Sequence, residues 1–243
     1  MNQPKSMPRL ITWGGYLAIT LLLALPLAVL TVRSGLWQQG LMLFALSSAG
    51  AALLLLLFIA LLLLPSFQPW RGNIIKNGLL ALPGSVLLVS LAAGGGDYPR
   101  IHDITTNTQD PPVFTAAEAI RGKAANPLAI KPESIALQVQ SYPELTTLRT
   151  AGSLQDNFAI ALATAKALGW EVYHQDPADG TIEAVDTTAI MGFKDDIVIR
   201  LRSASNETLI DTRSVSRVGL GDLGANAKRI QAFQHQFRQQ GKP

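Results

Sequence analysis

The residues with the clearest capacity for chemistry are three arginines around one predicted strand-to-helix corner. Arg213 and Arg217 fall on the same face of a predicted β-strand, because successive side chains of a strand point to opposite faces. A glycine-rich turn follows and contains Asp222, and the predicted helix after it carries Asn226 and Arg229 in its first turns. We therefore predict that these five residues form the candidate binding site.

Two interpretations of this corner stay open at the level of the sequence. In the first, the corner binds an anion, because N–H groups at a helix start carry partial positive charge and guanidinium groups donate paired hydrogen bonds to phosphate or carboxylate. In the second, Asp222 caps the helix and pairs with an arginine, while glycines supply the positive φ of the turn. Breaking a buried ion pair of that kind costs about 3–5 kcal/mol, which explains the residue types without a ligand.

Other chemistry finds little support, and we predict no catalytic residue, no cofactor and no metal. The chain has no cysteine, so disulfides, thiolate metal sites and thiol nucleophiles are excluded. Asp195 and Asp196 could join His102 or Asp103 at a divalent cation, but adjacent carboxylates on a strand point to opposite faces. The glycines of the turn lack the following lysine and hydroxyl residue of a phosphate-binding loop.

The charge of the chain is distributed unevenly along its length. Residues 1–96 contain five basic residues and no acidic ones, whereas residues 97–243 contain 15 basic and 17 acidic residues. The net charge of +3 therefore comes from the N-terminal part, where it indicates membrane topology and not a nucleic-acid surface. We predict membrane lipids as partners and no nucleic acid.

Three apolar runs in the N-terminal part predict transmembrane helices. Residues 11–31, 41–64 and 74–93 each supply about 20 mostly apolar residues, enough to cross a hydrocarbon core of about 30 Å. Pro26 and Pro83 interrupt two of these helices, which membrane helices tolerate. The sequence predicts a multi-pass protein of the inner (plasma) membrane, with a transmembrane region at residues 1–96 that ends at three consecutive glycines.

The basic residues predict the orientation of these helices. Lys5, Arg9, Arg71 and Lys76 would lie on the cytoplasmic side, and Arg33 alone on the outer side. This arrangement makes the N-terminus cytoplasmic and the C-terminal domain periplasmic. The small residues at 47–52 would let another helix approach closely, either within the three-helix unit or from a protein partner.

The remainder of the chain predicts an α+β domain. Residues 97–145 are rich in proline and predict an extended connector. Residues 146–243 predict a helix that begins near Ser153, then four strands joined by short turns, and a closing helix. Short turns indicate antiparallel neighbours, so we expect an antiparallel four-stranded sheet with two flanking helices on one face.

Several segments of this part resemble the family catalogued as domain of unknown function 1499. They are M-G-F-K-D-D-I-V-I-R (191–200), D-T-R-S-V-S-R-V-G-L-G-D-L-G-A-N-A-K-R-I (211–230), L-G-W-E-V (168–172), G-T-I-E-A-V-D-T-T (180–188) and H-D-I-T-T-N-T-Q-D-P-P-V-F (102–114). The similarity spans about residues 100–240. Many members carry a cysteine in the N-terminal part of the domain, where this chain has H-D-I-T-T-N. The resemblance supports the domain boundary and implies no particular activity.

These observations lead to two functional hypotheses. The first is a non-enzymatic membrane protein whose extracytoplasmic domain binds an anionic envelope ligand, a lipid headgroup or a partner protein. The alternative is an envelope enzyme that acts on a phosphorylated or carboxylated substrate at the corner of Arg213, Arg217 and Arg229. The transmembrane helices offer a further surface for a protein partner.

Overall fold

The structure, a computed structural model, describes residues 6–93 and 96–241. The chain divides into a helical unit and a sheet unit with these bounds: Met1–Gly96 with Ile190–Gly192, and Asp97–Ala189 with Phe193–Pro243. Lys5, which enters the predicted topology, and Gly94-Gly95, which enter the predicted boundary, lie outside the described residues.

Three long apolar helices make up the helical unit, as the apolar runs predict. Their bounds are α1 (Arg9–Arg33), α2 (Trp37–Leu63) and α3 (Arg71–Ala93), with a 3₁₀ helix (Pro65–Trp70) before α3. Helices of 25, 27 and 23 residues are about 35–40 Å long at 1.5 Å per residue. By length and composition, all three can cross a membrane.

Small side chains allow these helices to pack closely. Ser47, Ser48 and Ala51 of α2 are buried. A Cβ atom at Gly84 of α3 would lie 2.7 Å from the Cβ of Ala51, closer than any side chain permits. The small residues of α2 are thus confirmed as a packing face within the three-helix unit.

The sheet unit contains a six-stranded antiparallel sheet, so the prediction of four strands is wrong. The strands are β1 (Asp103–Thr105), β2 (Leu148–Ala151), β3 (Glu171–Asp176), β4 (Thr181–Thr187), β5 (Lys194–Ala204) and β6 (Glu207–Ser216). Their order is β1-β6-β5-β4-β3, and β2 also pairs with β6. The sequence missed β1 and β2 because strands of three and four residues are too short to show alternation.

The two missed strands pair with the same edge of β6. In β1, Asp103 lies opposite Val215, whereas in β2, Leu148 lies opposite Ile210. Each short strand therefore pairs with a different half of β6. Together they cover the outer side of a strand that the four-stranded prediction left at the edge of the sheet.

The helical side of the sheet carries the main hydrophobic core. The remaining helices are α4 (Ala117–Arg121), α5 (Pro132–Ser141), α6 (Leu154–Ala167) and α7 (Ala225–Gln240). Side chains of α6 and α7 pack against Ile197, Ile199 and Ile210 of the sheet, and the ring of Trp170 stacks on that of Phe233 at 5.6 Å. Both helices lie on one face, as predicted.

The other face of the sheet is covered by part of the predicted connector. Residues 97–145 contain β1, α4 and α5. Phe114 and Ala117 form a second apolar cluster with Val198 and Val215. Burial of these side chains orders a proline-rich segment that shows no regular periodicity of its own. The predicted site residues on this face therefore lie beneath covering chain.

Candidate functional site

The five predicted site residues are divided between the two faces of the sheet. Arg213 and Arg217 follow the alternation of β6 and project toward the face covered by α4 and its loops. Asn226 and Arg229 belong to α7, on the opposite face. The sequence predicted one corner, but the sheet separates these side chains into two networks.

Arg213 is held by groups from three separate segments. Its Nε and Nη2 donate to the carboxylate of Asp103 at 2.9 and 2.7 Å. Nη1 donates to the carbonyl oxygen of Pro112 at 3.2 Å, and Nη2 to that of Leu128 at 2.6 Å. The guanidinium also lies 5.4 Å from the ring centre of Phe114. The side chain is only 3% exposed, and the carboxylate of Asp103 compensates its charge inside the sheet unit.

Arg217 shares a buried carboxylate with a second arginine. Its Nε and Nη2 donate to Asp196 at 2.9 and 2.8 Å, and Nη1 of Arg121 lies 3.2 Å from the same carboxylate. The hydrogen bond to Asp196 raises the pKa of Arg217, whereas burial lowers the pKa of Arg121. This pair of arginines, with one fully buried aspartate, ties α4 to β5 and β6.

Arg229 forms the network on the helical face. Its Nε donates to Asp186 at 2.8 Å and its Nη2 to Asp195 at 2.6 Å. Nη1 donates to Asn226 Oδ1 at 2.6 Å and to Ser214 Oγ at 3.2 Å. One guanidinium on α7 thus joins β4, β5 and β6, and the side chain is only 8% exposed.

Asn226 is the polar centre of the same network. Its Oδ1 accepts from Ser214 Oγ at 2.6 Å, and its Nδ2 donates to Ser216 Oγ at 2.9 Å and to the carbonyl oxygen of His102 at 3.0 Å. The residue is completely buried. A buried amide with these partners fixes the start of α7 against β6.

Asp222 caps α7, as the second interpretation of the corner predicts. Its carboxylate accepts from the backbone N–H groups of Gly224 at 2.9 Å and Asn226 at 2.7 Å. Gly224 has φ 78°, where glycine avoids strain. Within residues 6–93 and 96–241, Asp222 makes no salt bridge to an arginine, so that part of the interpretation is not seen.

The arrangement favours an internal role for the three arginines. Each guanidinium already donates to carboxylates and backbone or side-chain oxygens, and Asp222 occupies N–H groups at the start of α7. An incoming anion would have to displace a buried carboxylate. Anion binding at these residues stays a prediction that the geometry does not favour.

Glu183 is a fully buried acid that the sequence analysis did not identify as important. Its carboxylate accepts from the backbone N–H groups of Thr115 at 2.6 Å, Ala116 at 3.0 Å and Ala117 at 2.9 Å. Tyr173 Oη donates to it at 3.3 Å. Burial, with the nearby acidic charges, raises the pKa of Tyr173, so its phenol stays neutral and donates.

A second group that sequence reasoning missed lies around Arg200 and Arg202 of β5. Nη2 of Arg200 and Nη2 of Arg202 donate to the buried carboxylate of Asp211 at 2.9 and 2.7 Å. Nη1 of Arg202 also donates to Asp110 at 3.0 Å. Alternation along β5 indicated that both arginines face away from the core, but it gave no sign of their acidic partners.

Arg202 differs from the corner arginines in its accessibility, whereas Arg200, at 18% exposed, is nearly as buried as Arg217 at 13%. The side chain of Arg202 is 40% exposed and that of its partner Asp110 is 60% exposed. Among the residues that the structure describes, the Nε atoms of Arg200 and Arg202 have no hydrogen-bond partner. Both Nε atoms are themselves buried, so a ligand can reach this group only at the exposed pair of Arg202 and Asp110.

Asp211 is held in its charged form by its neighbours. Burial alone would raise its pKa, but hydrogen bonds from Thr147, Arg200 and Asn107 outweigh burial, and the net pKa is lowered. The hydrogen bond from Thr147 Oγ1 measures 2.6 Å. The carboxylate thus anchors the two arginines at neutral pH.

The acidic pair proposed as an alternative cation site is divided between the sheet faces. Asp195 binds Arg229 on the helical face, and Asp196 binds Arg217 on the other. In the described ranges, no group of three or more His, Cys, Asp or Glu side chains is arranged to hold a metal ion.

Comparison with known proteins identifies a family, and the description of that family names no activity. The family model described as Protein of unknown function (DUF1499) matches residues 103–237, more than half of the chain. No curated protein matches the chain.

Proposed function

Because this chain belongs to the family described as Protein of unknown function (DUF1499), which carries no activity in its description, we propose a function from the geometry of its side chains. The protein is a membrane-anchored binding protein, and its sheet unit binds an anionic ligand at the surface around Arg200 and Arg202. The observation that carries this proposal is the exposed ion pair of Arg202 and Asp110, in which an incoming anion can replace the Asp110 carboxylate. The ligand is an envelope component that bears phosphate or carboxylate groups.

The sheet aligns a third arginine with this pair. Arg149 of β2 and Arg202 of β5 both lie opposite Leu209 of β6, so the two arginines share one row and one face. An open cavity of about 540 Å³ lies beside Arg149 and is also lined by Ala204 and Glu207, the acidic partner of Arg149. A ligand in this cavity meets the guanidinium group of Arg149, which suits phosphate and carboxylate geometry.

Asp110 occupies the place of the ligand in the free protein. It lies on a segment without regular secondary structure, and its carboxylate contacts Arg200 at 3.1 Å and Arg202 at 3.0 Å. When an anion replaces this exposed carboxylate, Arg200 and Arg202 keep their buried partner Asp211, so neither arginine loses all its charge compensation. Binding therefore competes with two ion pairs of one exposed carboxylate, and an exposed pair contributes only about 0–1 kcal/mol.

A direct test measures ligand binding by the full chain in lipid nanodiscs. Inorganic phosphate, a sugar phosphate and glycerophosphate are titrated at constant ionic strength, and the melting temperature is recorded. A ligand at about 100 times its Kd adds about 2.7 kcal/mol of stability. We expect Arg202→Gln to abolish the shift and Asp110→Asn to strengthen it.

Arg238→Gln is the matched control for this test. Arg238 is an exposed arginine on α7, on the opposite side of the sheet. Equal losses in Arg202→Gln and Arg238→Gln would reveal a nonspecific charge effect and reject the site. Absence of a shift for all three anions in the wild-type protein would reject the proposal as well.

The proposed location of the ligand depends on the topology of the helices. The basic residues Arg9, Arg71 and Lys76 support a cytoplasmic N-terminus and a sheet unit on the outer, periplasmic side of the inner membrane. Since the chain has no cysteine, single cysteines can report topology. A membrane-impermeant maleimide should label Ser34→Cys and Asn206→Cys in intact spheroplasts, but not Ser66→Cys. The reverse pattern would invert the orientation.

A further inference from the structure

The turn between β6 and α7 presents two leucines to solvent. Leu220 is 74% exposed and Leu223 is 63% exposed. The turn residues 219–224 hold no charged group except Asp222, whose two carboxylate oxygens accept backbone hydrogen bonds. The turn thus offers an apolar tip whose nearest carboxylate is already occupied.

The backbone of this turn is fixed and strained. Leu223 has φ 53°, a left-handed conformation that is unfavourable for a residue with a Cβ atom. Asn126 Nδ2 donates to the carbonyl oxygen of Gly219 at 2.8 Å, and Asp222 holds the other end of the turn. A glycine or asparagine would fit this position with less strain. A leucine that is strained and yet gains no burial indicates a role for its side chain outside the sheet unit.

The segment that holds the turn follows directly after the third apolar helix. A Cβ atom at Gly224 would lie 2.6 Å from the ring of Tyr98, and one at Gly221 would lie 3.3 Å from the Cα of Arg100. Tyr98 is only five residues beyond Ala93, the last residue of α3. By chain length alone, five residues span at most about 18 Å. The turn therefore packs on chain that follows α3 within a few residues in the sequence.

The side chains around the turn suit the surface of an anionic bilayer. Arg100 and Lys228 are both exposed, and Nζ of Lys228 lies 3.2 Å from Tyr98 Oη and 5.2 Å from the ring centre. Tyrosine is enriched at membrane interfaces, and basic residues are attracted to anionic headgroups. Within residues 97–100, which contain Tyr98 and Arg100, the acidic residue is Asp97.

From these observations we propose that the turn at residues 219–224 docks on the bilayer that holds the helices of the chain. Leu220 and Leu223 enter the interfacial region, and Arg100 and Lys228 contact the phosphate groups of anionic lipids. This membrane-docking turn is separate from the anion-binding surface around Arg202, and it does not depend on the side of the membrane on which the sheet unit lies.

The test uses the absence of cysteine in the chain. Leu220→Cys and Leu223→Cys are labelled with an environment-sensitive fluorophore in the full-length protein, reconstituted in bilayers of phosphatidylglycerol and phosphatidylcholine. We expect a blue-shifted emission and quenching by lipids with brominated acyl chains. Val113→Cys is the matched control, because Val113 is an equally exposed apolar residue elsewhere in the sheet unit. Its label should be insensitive to brominated lipids.

A second variant separates docking from folding. Leu223→Gly removes the strain and the side chain together, so the domain stays folded while the label at Leu220→Cys loses its quenching. Phosphate binding, measured on the same samples, should not change. Quenching at both turn positions equal to that at Val113 overturns the proposal. Shielding of both turn labels without lipid quenching would indicate contact with a protein surface and also overturns it.

Discussion

Asp103 and Arg213 are joined by two parallel hydrogen bonds of 2.9 and 2.7 Å across β1 and β6, although 110 positions separate them in the chain. The guanidinium is 3% exposed and the carboxylate 13% exposed. The bond therefore anchors the three-residue strand β1, which has few backbone hydrogen bonds of its own, to the centre of the sheet unit.

Removal of one partner of this pair should destabilise the sheet unit strongly. We expect Arg213→Leu to lower the free energy of unfolding by about 3–5 kcal/mol, because Asp103 is left charged and uncompensated. Hydrogen-exchange rates of buried β5 and β6 amides in the full chain measure the change. The double variant Asp103→Leu with Arg213→Leu should recover much of the loss.

An exposed ion pair on the same sheet provides the contrast. Arg149 and Glu207 form a salt bridge at the edge of the sheet unit, and the Arg149 side chain is largely exposed. Arg149→Leu should change the free energy of unfolding by about 0–1 kcal/mol. Equal effects of Arg149→Leu and Arg213→Leu would contradict the view that burial gives the Asp103–Arg213 pair its importance.

The lowered pKa of Asp211 makes acid stability testable. The folded protein binds a proton at this carboxylate less readily than the unfolded chain does, because Thr147 and Arg200 donate to the charged form. This contribution is present above about pH 4, the ordinary carboxyl range, and is lost as the pH falls through the lower folded-state pKa.

Asp211→Asn should remove this acid-sensitive contribution. At neutral pH the variant should be less stable by about 3 kcal/mol, because Arg200 and Arg202 lose their buried partner. Below about pH 4 the difference from the wild-type protein should shrink. Denaturant unfolding at a series of pH values checks this trend, and a difference independent of pH would argue against it.

Gly84 tests the packing of the helical unit. Gly84→Leu should disrupt the contact between α2 and α3, since a Cβ atom there already lies 2.7 Å from that of Ala51. Overpacking of this kind costs about 1–3 kcal/mol. Unfolding in mixed detergent micelles of increasing sodium dodecyl sulfate content measures the loss of stability. A Cβ atom at Gly72 on the same helix would meet no atom within 4 Å, so Gly72→Leu should have little effect.

The predictable features of the fold were those with a strong local pattern. The apolar runs predicted α1, α2 and α3, and alternation placed Arg213 of β6 and Arg217, directly after β6, on one face. Ser153 was identified as the start of α6, and its Oγ accepts from the N–H of Asp156 at 3.1 Å. In each case the signal lies within a few residues of the feature that it predicts.

The features that escaped prediction depend on distant partners. Strand β1 exists because it pairs with β6, and its three residues show no periodicity. In the sequence, Glu183 resembles an ordinary exposed residue of a strand. In the fold, residues 115–117 direct three N–H groups toward its carboxylate. Arg229 was expected beside Arg213, but a sheet lies between them. Such pairings follow from topology, which short-range patterns do not encode.

Glu183 gives the sharpest test of this second class of feature. Glu183→Gln keeps the shape of the side chain but places an NH₂ group against N–H donors, so at least one of Thr115, Ala116 and Ala117 loses its acceptor. A buried donor without a partner costs about 1–3 kcal/mol. We expect the loss to appear first as faster hydrogen exchange in residues 115–121, because a helix as short as α4 depends on its N-terminal acceptor.

Glu118→Gln is the matched control, since Glu118 is an exposed acid in the first turn of the same helix and should contribute only a few tenths of a kcal/mol. Similar exchange rates in the two variants would mean that apolar contacts of Ala117, and not the buried carboxylate, hold α4 on the sheet.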